Sequence, residues 1–412
     1  MIDETTDVVD FRKARGKQIA KTIQIEKKGL NEWIVPSQTG SGAYTVNRIG
    51  NDFKCSCPDF QTRGKTCKHI YAIEIKVLRW FDSSGNSGAK ITIKRTTYPQ
   101  DWKAYDLATT QQKELFQKLL NDLCDTIDEK PYVFGRPKML MRDMVFGSAL
   151  KVFSTFSLRR FTMDSKDAQA KGYLARVPNY STIAKYMESQ EMTPILKEIL
   201  EISALPLKTI ENDSFSIDSS GFSPHKFSRW FDHKWGAKGK ESEKRLFYKA
   251  HIIVGNKTHI ICGAEVTSQF VADPIMLPQL VQEVNRNFDV KAVMGDKAYS
   301  SRNNLELLGK LGIVPMIPFR INSSRKPKGS RIWRDMYNYF AYHREAFMER
   351  YHARSNVETA FFMIKSKFSD YVRSKTDTAC INEIYLKLIC HNLCCVIQET
   401  FELGIQANFG SS

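Results

Sequence analysis

Arg354, Glu358 and Lys365 follow Tyr351 at offsets of three, seven and fourteen in the stretch YHARSNVETAFFMIKSKF. At about 100° per helical residue the four fall within an arc of about 60°. A phenol, a guanidinium, a carboxylate and an ammonium thus share one stripe of a predicted helix over 351–368. Phe361, Phe362, Ile364 and Phe368 surround that stripe with apolar surface able to hold the helix on a core. A carboxylate on a half-buried helix needs a partner, and those that suit it are a divalent metal ion or the neighbouring Arg and Lys. An intrahelical ion pair between Arg354 and Glu358, four residues apart, also accounts for the pattern.

Two further carboxylates each follow a short apolar run. Residues 215–218 read as a strand ending in Asp218, and 290–295 as another, followed by Asp296. Open α/β sheets build their sites at the carboxyl ends of strands, so the two acids are expected to be neighbours. Three carboxylates gathered there repel one another unless cations lie between them. A pair of Mg²⁺ ions about 4 Å apart, as used in phosphoryl transfer, has that demand.

Asp218, Asp296 and Glu358 in that order, with the pattern Tyr-x2-Arg-x3-Glu-x6-Lys, resemble the DDE transposases of bacterial and archaeal insertion sequences over about residues 130–400. The resemblance implies an α/β fold with an RNase H-like, retroviral-integrase-like catalytic core and DNA cleavage and strand transfer dependent on Mg (or Mn). By the same resemblance Asp218, Asp296 and Glu358 hold the metal. Arg354 and Lys365 neutralise phosphate, and Tyr351 orients a terminal nucleotide. The implied partners are double-stranded DNA, as element ends and as target, and a second copy in a homodimer on DNA; the implied location is cytoplasmic, nucleoid-associated in a prokaryote. A hydrolytic nuclease of the same fold and an inactive, transposase-derived DNA-binding protein are the alternatives.

Cys55, Cys57, Cys67 and His69 form a second constellation, in FKCSCPDFQTRGKTCKHIYAI. Three thiolates and an imidazole suffice for a closed tetrahedral Zn²⁺ site, which stabilises a fold too small to stand on its apolar core. Four protein ligands leave no open position for a substrate, so such a zinc is structural. The spacing Cys-x-Cys-x9-Cys-x-His resembles the SWIM zinc finger, a module linked with DNA or protein binding. Reduced cysteines without a metal remain the plain alternative.

With 412 residues and a net charge of +16, the chain is long enough for two or three domains and favours a polyanionic partner. The opening MIDETTDVVDF is acidic and carries no secretory pattern. No uncharged apolar stretch approaches the ~18 residues of a membrane span, so no membrane partner is expected. Nine cysteines without an export signal point to a reducing compartment.

Residues 1–81 read as the SWIM-type zinc finger module, 82–97 as a small polar linker, 98–210 as a helical DNA-binding region and 211–402 as the catalytic domain. Strands are predicted at 32–35 and 43–49, and a helix over 68–80. Helices follow over 111–127, 141–156, 182–189 capped by Ser181, and 193–202. Within 211–402, Pro224 opens a helix, strands lie at 245–254 and 259–266, and Asp273 caps a helix to 288. A helix from Ser300 or Ser301 to Leu311 and a strand over 313–319 complete the order of an RNase H-like sheet. Lys226, Arg229, Trp230 and Trp235 mix charge with aromatic rings, as suits phosphates and unstacked bases near a cleaved end. Arg320, Arg325, Lys326 and Lys328 stand in a stretch without acids that neutralises phosphate. Cys390, His391, Cys394 and Cys395 have ligand chemistry but lie in an apolar run and read as core.

Overall fold

A computed structural model describes residues 12, 14–20, 22–29, 32–38, 42–49, 52–74, 100–129, 134, 138–224, 226, 247–326, 328–407 and 409. The chain divides into two compact units. The smaller comprises Met1–Thr92, as far as described, with Phe319–Glu349; the larger comprises Ile93–Pro318 with Arg350–Ser412.

In the smaller unit, β1 (Glu26–Gly29), β2 (Glu32–Pro36), β3 (Ala43–Ile49) and β4 (Asp52–Cys55) form an antiparallel meander in sequence order. Alternation along β2 turns Trp33 and Val35 inward, where they meet Val46, Ile19, Ile70 and Ile73. Residues 68–74 are helical, as predicted, while 75–80 lie outside the described residues. Helix Arg331–Tyr342 begins within the basic stretch after Phe319, capped by the Ser330 hydroxyl, which accepts from Trp333 N. The Phe319 ring packs edge-on against Trp333 and Tyr337.

In the larger unit a five-stranded mixed sheet has the order β7-β6-β5-β8-β9. Its strands are β5 (Ser214–Phe222), β6 (Tyr248–Gly255), β7 (Ile261–Ser268), β8 (Ala292–Gly295) and β9 (Val314–Met316). β5, β6 and β7 run antiparallel, whereas β8 lies parallel to β5, and β9 to β8. Helices Asp273–Asn287 and Arg302–Lys310 make the crossovers that parallel pairing requires. Among the described residues the strands and helices follow the predicted order.

Helices before the sheet include Trp102–Thr110, Gln112–Cys124, Met141–Ser154, Thr162–Ala170, Tyr180–Met187 and Met192–Ala204. They pack with the long helix Asp377–Glu402, whose side chains from Ile384 to Ile397 are buried almost without interruption. By length and composition Asp377–Leu403 could cross a membrane, yet 89% of its most apolar window is buried inside the protein. Cys390, His391, Cys394 and Cys395 belong to that buried face, so the reading of them as core holds. On the same helix, Asn392 accepts from Ile261 N at 2.9 Å and donates to Ile261 O at 2.8 Å. One side chain therefore satisfies backbone groups that edge strand β7 would otherwise expose.

Several local expectations need correction. Asp218 does not end its strand: β5 continues four residues beyond it, because its second half pairs with β6 from Asp218↔Ile252 to Phe222↔Tyr248. Residues 351–368 are not one continuous α-helix. Helix Arg344–Tyr351, a 3₁₀ turn at His352–Arg354 and helix Ser355–Phe368 follow one another, and the tighter turn rotates Tyr351 relative to Glu358. Asn179, not Ser181, caps Tyr180–Met187, its side chain accepting from Ser181 N. Asp273 occupies the first turn of its helix, after Ala272 as cap, and its carboxylate is engaged elsewhere. Ser223 makes a bridge to Tyr371, and the helix expected from Pro224 lies outside the described residues.

Candidate catalytic carboxylates and metal centre

Parallel pairing of β5 with β8 runs from Ser214↔Ala292 to Ile217↔Gly295. Asp218 and Asp296 are the next residues on the two strands, so one register step past the last paired rung places both acids at the carboxyl end of the parallel pair. The close approach at that rung restricts Gly295: a Cβ there would stand 3.1 Å from Ile217 Cγ2 and 3.2 Å from Tyr299 Cδ2.

Each acid is fixed locally. Asp218 accepts from Ser219 N at 2.8 Å, and Asp296 accepts from Ala298 N at 2.8 Å, capping the 3₁₀ turn Lys297–Tyr299. Arg354, at the foot of helix Ser355–Phe368, donates to Asp218 Oδ2 at 3.1 Å and pairs through its other terminal nitrogen with Glu358. The guanidinium thus joins the β5 acid to the helical acid. Burial raises the Asp218 carboxyl to about 6; Arg354 and Ser219 N oppose the rise, and Asp296 and Glu358 add to it. Three acids that act on one another's charge form a single electrostatic site.

The four signature side chains divide in their environments. Tyr351 is half-buried, and burial, then the fields of Asp296, Asp218 and Glu358, raise its pKa against the opposing Arg354. Glu358 is exposed apart from its pairing with Arg354. Lys365 donates to Ser220 Oγ at 2.8 Å and Gly221 O at 2.9 Å. Burial lowers it to about 8. It clamps β5, just past Asp218, to the helix that carries Glu358.

Two residues of this region carried no functional reading in the sequence. The Asp273 carboxylate accepts from Ser219 Oγ at 2.7 Å and Lys249 Nζ at 2.9 Å, with His251 Nδ1 at 3.5 Å, which fixes the residue after Asp218. Tyr299 is 1% exposed, its hydroxyl has no hydrogen-bond partner, and Asp218, Asp273 and Asp296 add to the effect of burial in raising its pKa. Its signal was its place three residues after Asp296, at the end of the turn that Asp296 caps.

Of the basic residues singled out for DNA, Arg229, Trp230 and Trp235 lie outside the described residues. Lys226 is exposed, as are Arg320 and Lys328. Arg325 forms an ion pair with Glu74, a carboxylate only 2% exposed in its side chain.

In the smaller unit the Cys and His side chains converge. β4 delivers Cys55; Cys57 precedes helix Pro58–Arg63; Cys67 and His69 stand at the start of the helical residues 68–74. Their ligand atoms all lie within 4.8 Å of one another, and all four residues are buried. His69 Nδ1 is 3.8 Å from Cys55 Sγ and 4.0 Å from Cys67 Sγ, close to the edge of a zinc tetrahedron. The Cys55 hydrogen bond, then that of His69, lowers the Cys67 thiol to about 4, while Cys55 is raised in exchange. A thiolate already favoured among two thiols and an imidazole fits Zn²⁺. Among the described residues this is the one group of three or more such side chains with ligand atoms so close; Arg354 instead joins two of the three acids, Asp218 and Glu358.

Neighbouring strands that carry acids one step past their last parallel rung, backed by the Arg354–Glu358 pair and accompanied by a buried cluster of three cysteines and a histidine, define a carboxylate site and a separate group able to hold a structural metal. Residues 211–393 match the family described as transposase DDE domain, and 44–78 match the SWIM zinc finger. The chain thus carries a transposase DDE domain, with a SWIM zinc finger ahead of it. Among solved structures it matches one titled "Cryo-EM structure of piggyBac transposase synaptic complex with hairpin DNA (SNHP)", at 12% identity over 73% of this chain and 80% of that one. The TM-score of that match is 0.28.

Proposed function

We propose that the chain mobilises an insertion sequence by binding element ends and catalysing strand cleavage and strand transfer at an RNase H-like centre of Asp218, Asp296 and Glu358. The observation that carries this reading is the single register step that makes Asp218 and Asp296 neighbours, with Arg354 linking Asp218 to Glu358. Hard carboxylate oxygens with no competing soft ligand suit Mg or Mn. A bound divalent ion would activate the attacking hydroxyl or water and stabilise the leaving oxygen. The chain's own groups do the rest. Asp218 and Asp296 present oxygens from a rigid sheet, Ser219 N and Ala298 N fix their rotamers, and Arg354 exchanges its carboxylate contacts for substrate phosphate as charge develops. Tyr351 borders the acids and orients the terminal nucleotide. Lys365 holds β5 against the helix.

The proposed division is 1–81 as finger module, 82–97 as linker, 98–210 as a helical region contacting element ends and 211–402 as the catalytic domain, with a homodimer on DNA as the working form. Lys226, Arg229, Trp230, Trp235, Arg320, Lys326 and Lys328 are proposed DNA contacts. Zn²⁺ fills the Cys55, Cys57, Cys67 and His69 site.

The test uses purified protein, a duplex carrying the element end, and a pre-cleaved 3′ end with target DNA. Asp218→Asn, Asp296→Asn and Glu358→Gln should each abolish metal-dependent cleavage and joining while end binding persists. Retained joining in any of the three removes that residue from the site.

A further inference from the structure

On helix Met141–Ser154, the Lys151 side chain reaches a shallow cleft, open to solvent, that it shares with Thr155, Ser369, Arg373, Glu383 and Lys387. None of these belongs to the carboxylate site. Glu383 and Lys387 are fully engaged. The Glu383 carboxylate accepts from Arg373 N at 3.0 Å, Ser374 N at 2.9 Å and Ser374 Oγ at 2.7 Å. Lys387 Nζ donates to Ser369 O at 3.0 Å and Tyr371 O at 2.6 Å. Together they brace the 369–374 turn against the long helix.

Lys151 is different. It is 5% exposed, its ammonium makes no hydrogen bond, and the charge acting in its favour is the already engaged Glu383. The carboxyl end of its helix favours a cation there but supplies no acceptor. Arg373, across the cleft, is exposed, and its guanidinium is likewise without a hydrogen-bond partner. The lining holds three cations against one carboxylate, and Asp370, which acts on Lys387, offsets one more charge. No protein acceptor holds this ammonium, so an anion or water must satisfy it. Lys151 and Arg373 offer donors only, one a point charge and one a planar fork, which is the pairing that holds phosphate oxygens.

We infer that the cleft between Lys151 and Arg373 binds a phosphate group, seated by a backbone phosphate of the DNA on which the enzyme acts. The site rests on the DNA-transposase reading for the source of its ligand, and on two cationic donors that no protein acceptor holds for its chemistry. It adds an anchor apart from the carboxylates Asp218, Asp296 and Glu358, reading backbone and not bases.

The experiment compares the full-length wild type with Lys151→Met and Arg373→Gln in two arms. In the first, affinity for a duplex is measured over a NaCl series. Each variant should lower the slope of log affinity against log salt by about 0.9 and weaken binding equally for unrelated sequences. In the second, DNA-free protein is melted in inorganic phosphate and in chloride at matched ionic strength. Loss of phosphate-specific stabilisation in the variants alone would assign the cleft to free phosphate as its source. Unchanged behaviour of both variants in both arms overturns the site. Arg373→Gln alters an exposed side chain, so it decides the matter if Lys151→Met fails to fold. Wild-type protein that binds no duplex would instead refute the DNA-binding reading, leaving the phosphate arm to judge the cleft.

Discussion

Arg354 Nη2 lies 3.1 Å from Asp218 Oδ2, a contact between residues 136 positions apart. The same guanidinium holds Glu358, so one side chain spans two carboxylates where a divalent cation is proposed to act. The contact states, in protein atoms, the charge demand of the site.

Arg354→Gln should therefore destabilise the metal-free protein by about 1–3 kcal/mol, since it leaves a half-buried carboxylate without its cation. Mg or Mn should narrow the gap, because an ion that binds the folded state alone adds stability by mass action. Melting curves with and without the ion check this; a gap independent of metal would separate Arg354 from the metal site. Cleavage should also fall, by about 10²-fold or more.

Lys365→Met and Glu358→Gln should fail for different reasons. Lys365 is half-buried and donates two hydrogen bonds to β5, so its loss should cost about 1–3 kcal/mol and lower the melting temperature. Glu358 is exposed beyond its pairing with Arg354, so its variant should melt within about 1 kcal/mol of wild type yet lose cleavage. Calorimetry beside a cleavage assay separates the two.

Zinc removal should unfold the smaller unit, since the four buried ligands sit at the centre of its small core. That unit includes Phe319–Glu349, and Arg325 there pairs with Glu74, five residues after His69. Hydrogen exchange after chelation, or in Cys67→Ser, should thus accelerate in 319–349 as well as in the finger, with the β5–β9 sheet still protected. Unchanged exchange in 319–349 would sever that link.

Glu211 sets a pH dependence remote from the acids. Its Oε1 accepts from Lys257 N, Thr258 N and Thr258 Oγ1, while Oε2 is buried without a partner. Burial raises it to about 7 from an ordinary value of 4.5. A raised folded pKa means that its stabilising contribution is complete below about 4.5, fades as pH rises, and is gone above about 7. Glu211→Gln keeps the accepting oxygen and removes the titration, so its stability should vary less between those pH values. Denaturant melts across that range check the slope.

Much of this was legible along the chain. The Cys and His spacing fixed the ligand set, because soft ligands so close in sequence can converge by local turns alone. The three acids and the helical pattern around Glu358 marked the catalytic region, and apolar runs marked the strands of the sheet, since burial on both faces leaves little room for other residues. Pairing decided the remainder. Register set Asp218 beside Asp296 and left it in mid-strand, a relation between segments that neither segment encodes. Packing turned Lys365 toward Ser220 and Gly221, engaged Asp273 with Ser219, and committed Arg325 to Glu74. Each is a long-range choice among oppositely charged or polar partners, and only the folded chain brings those partners within reach.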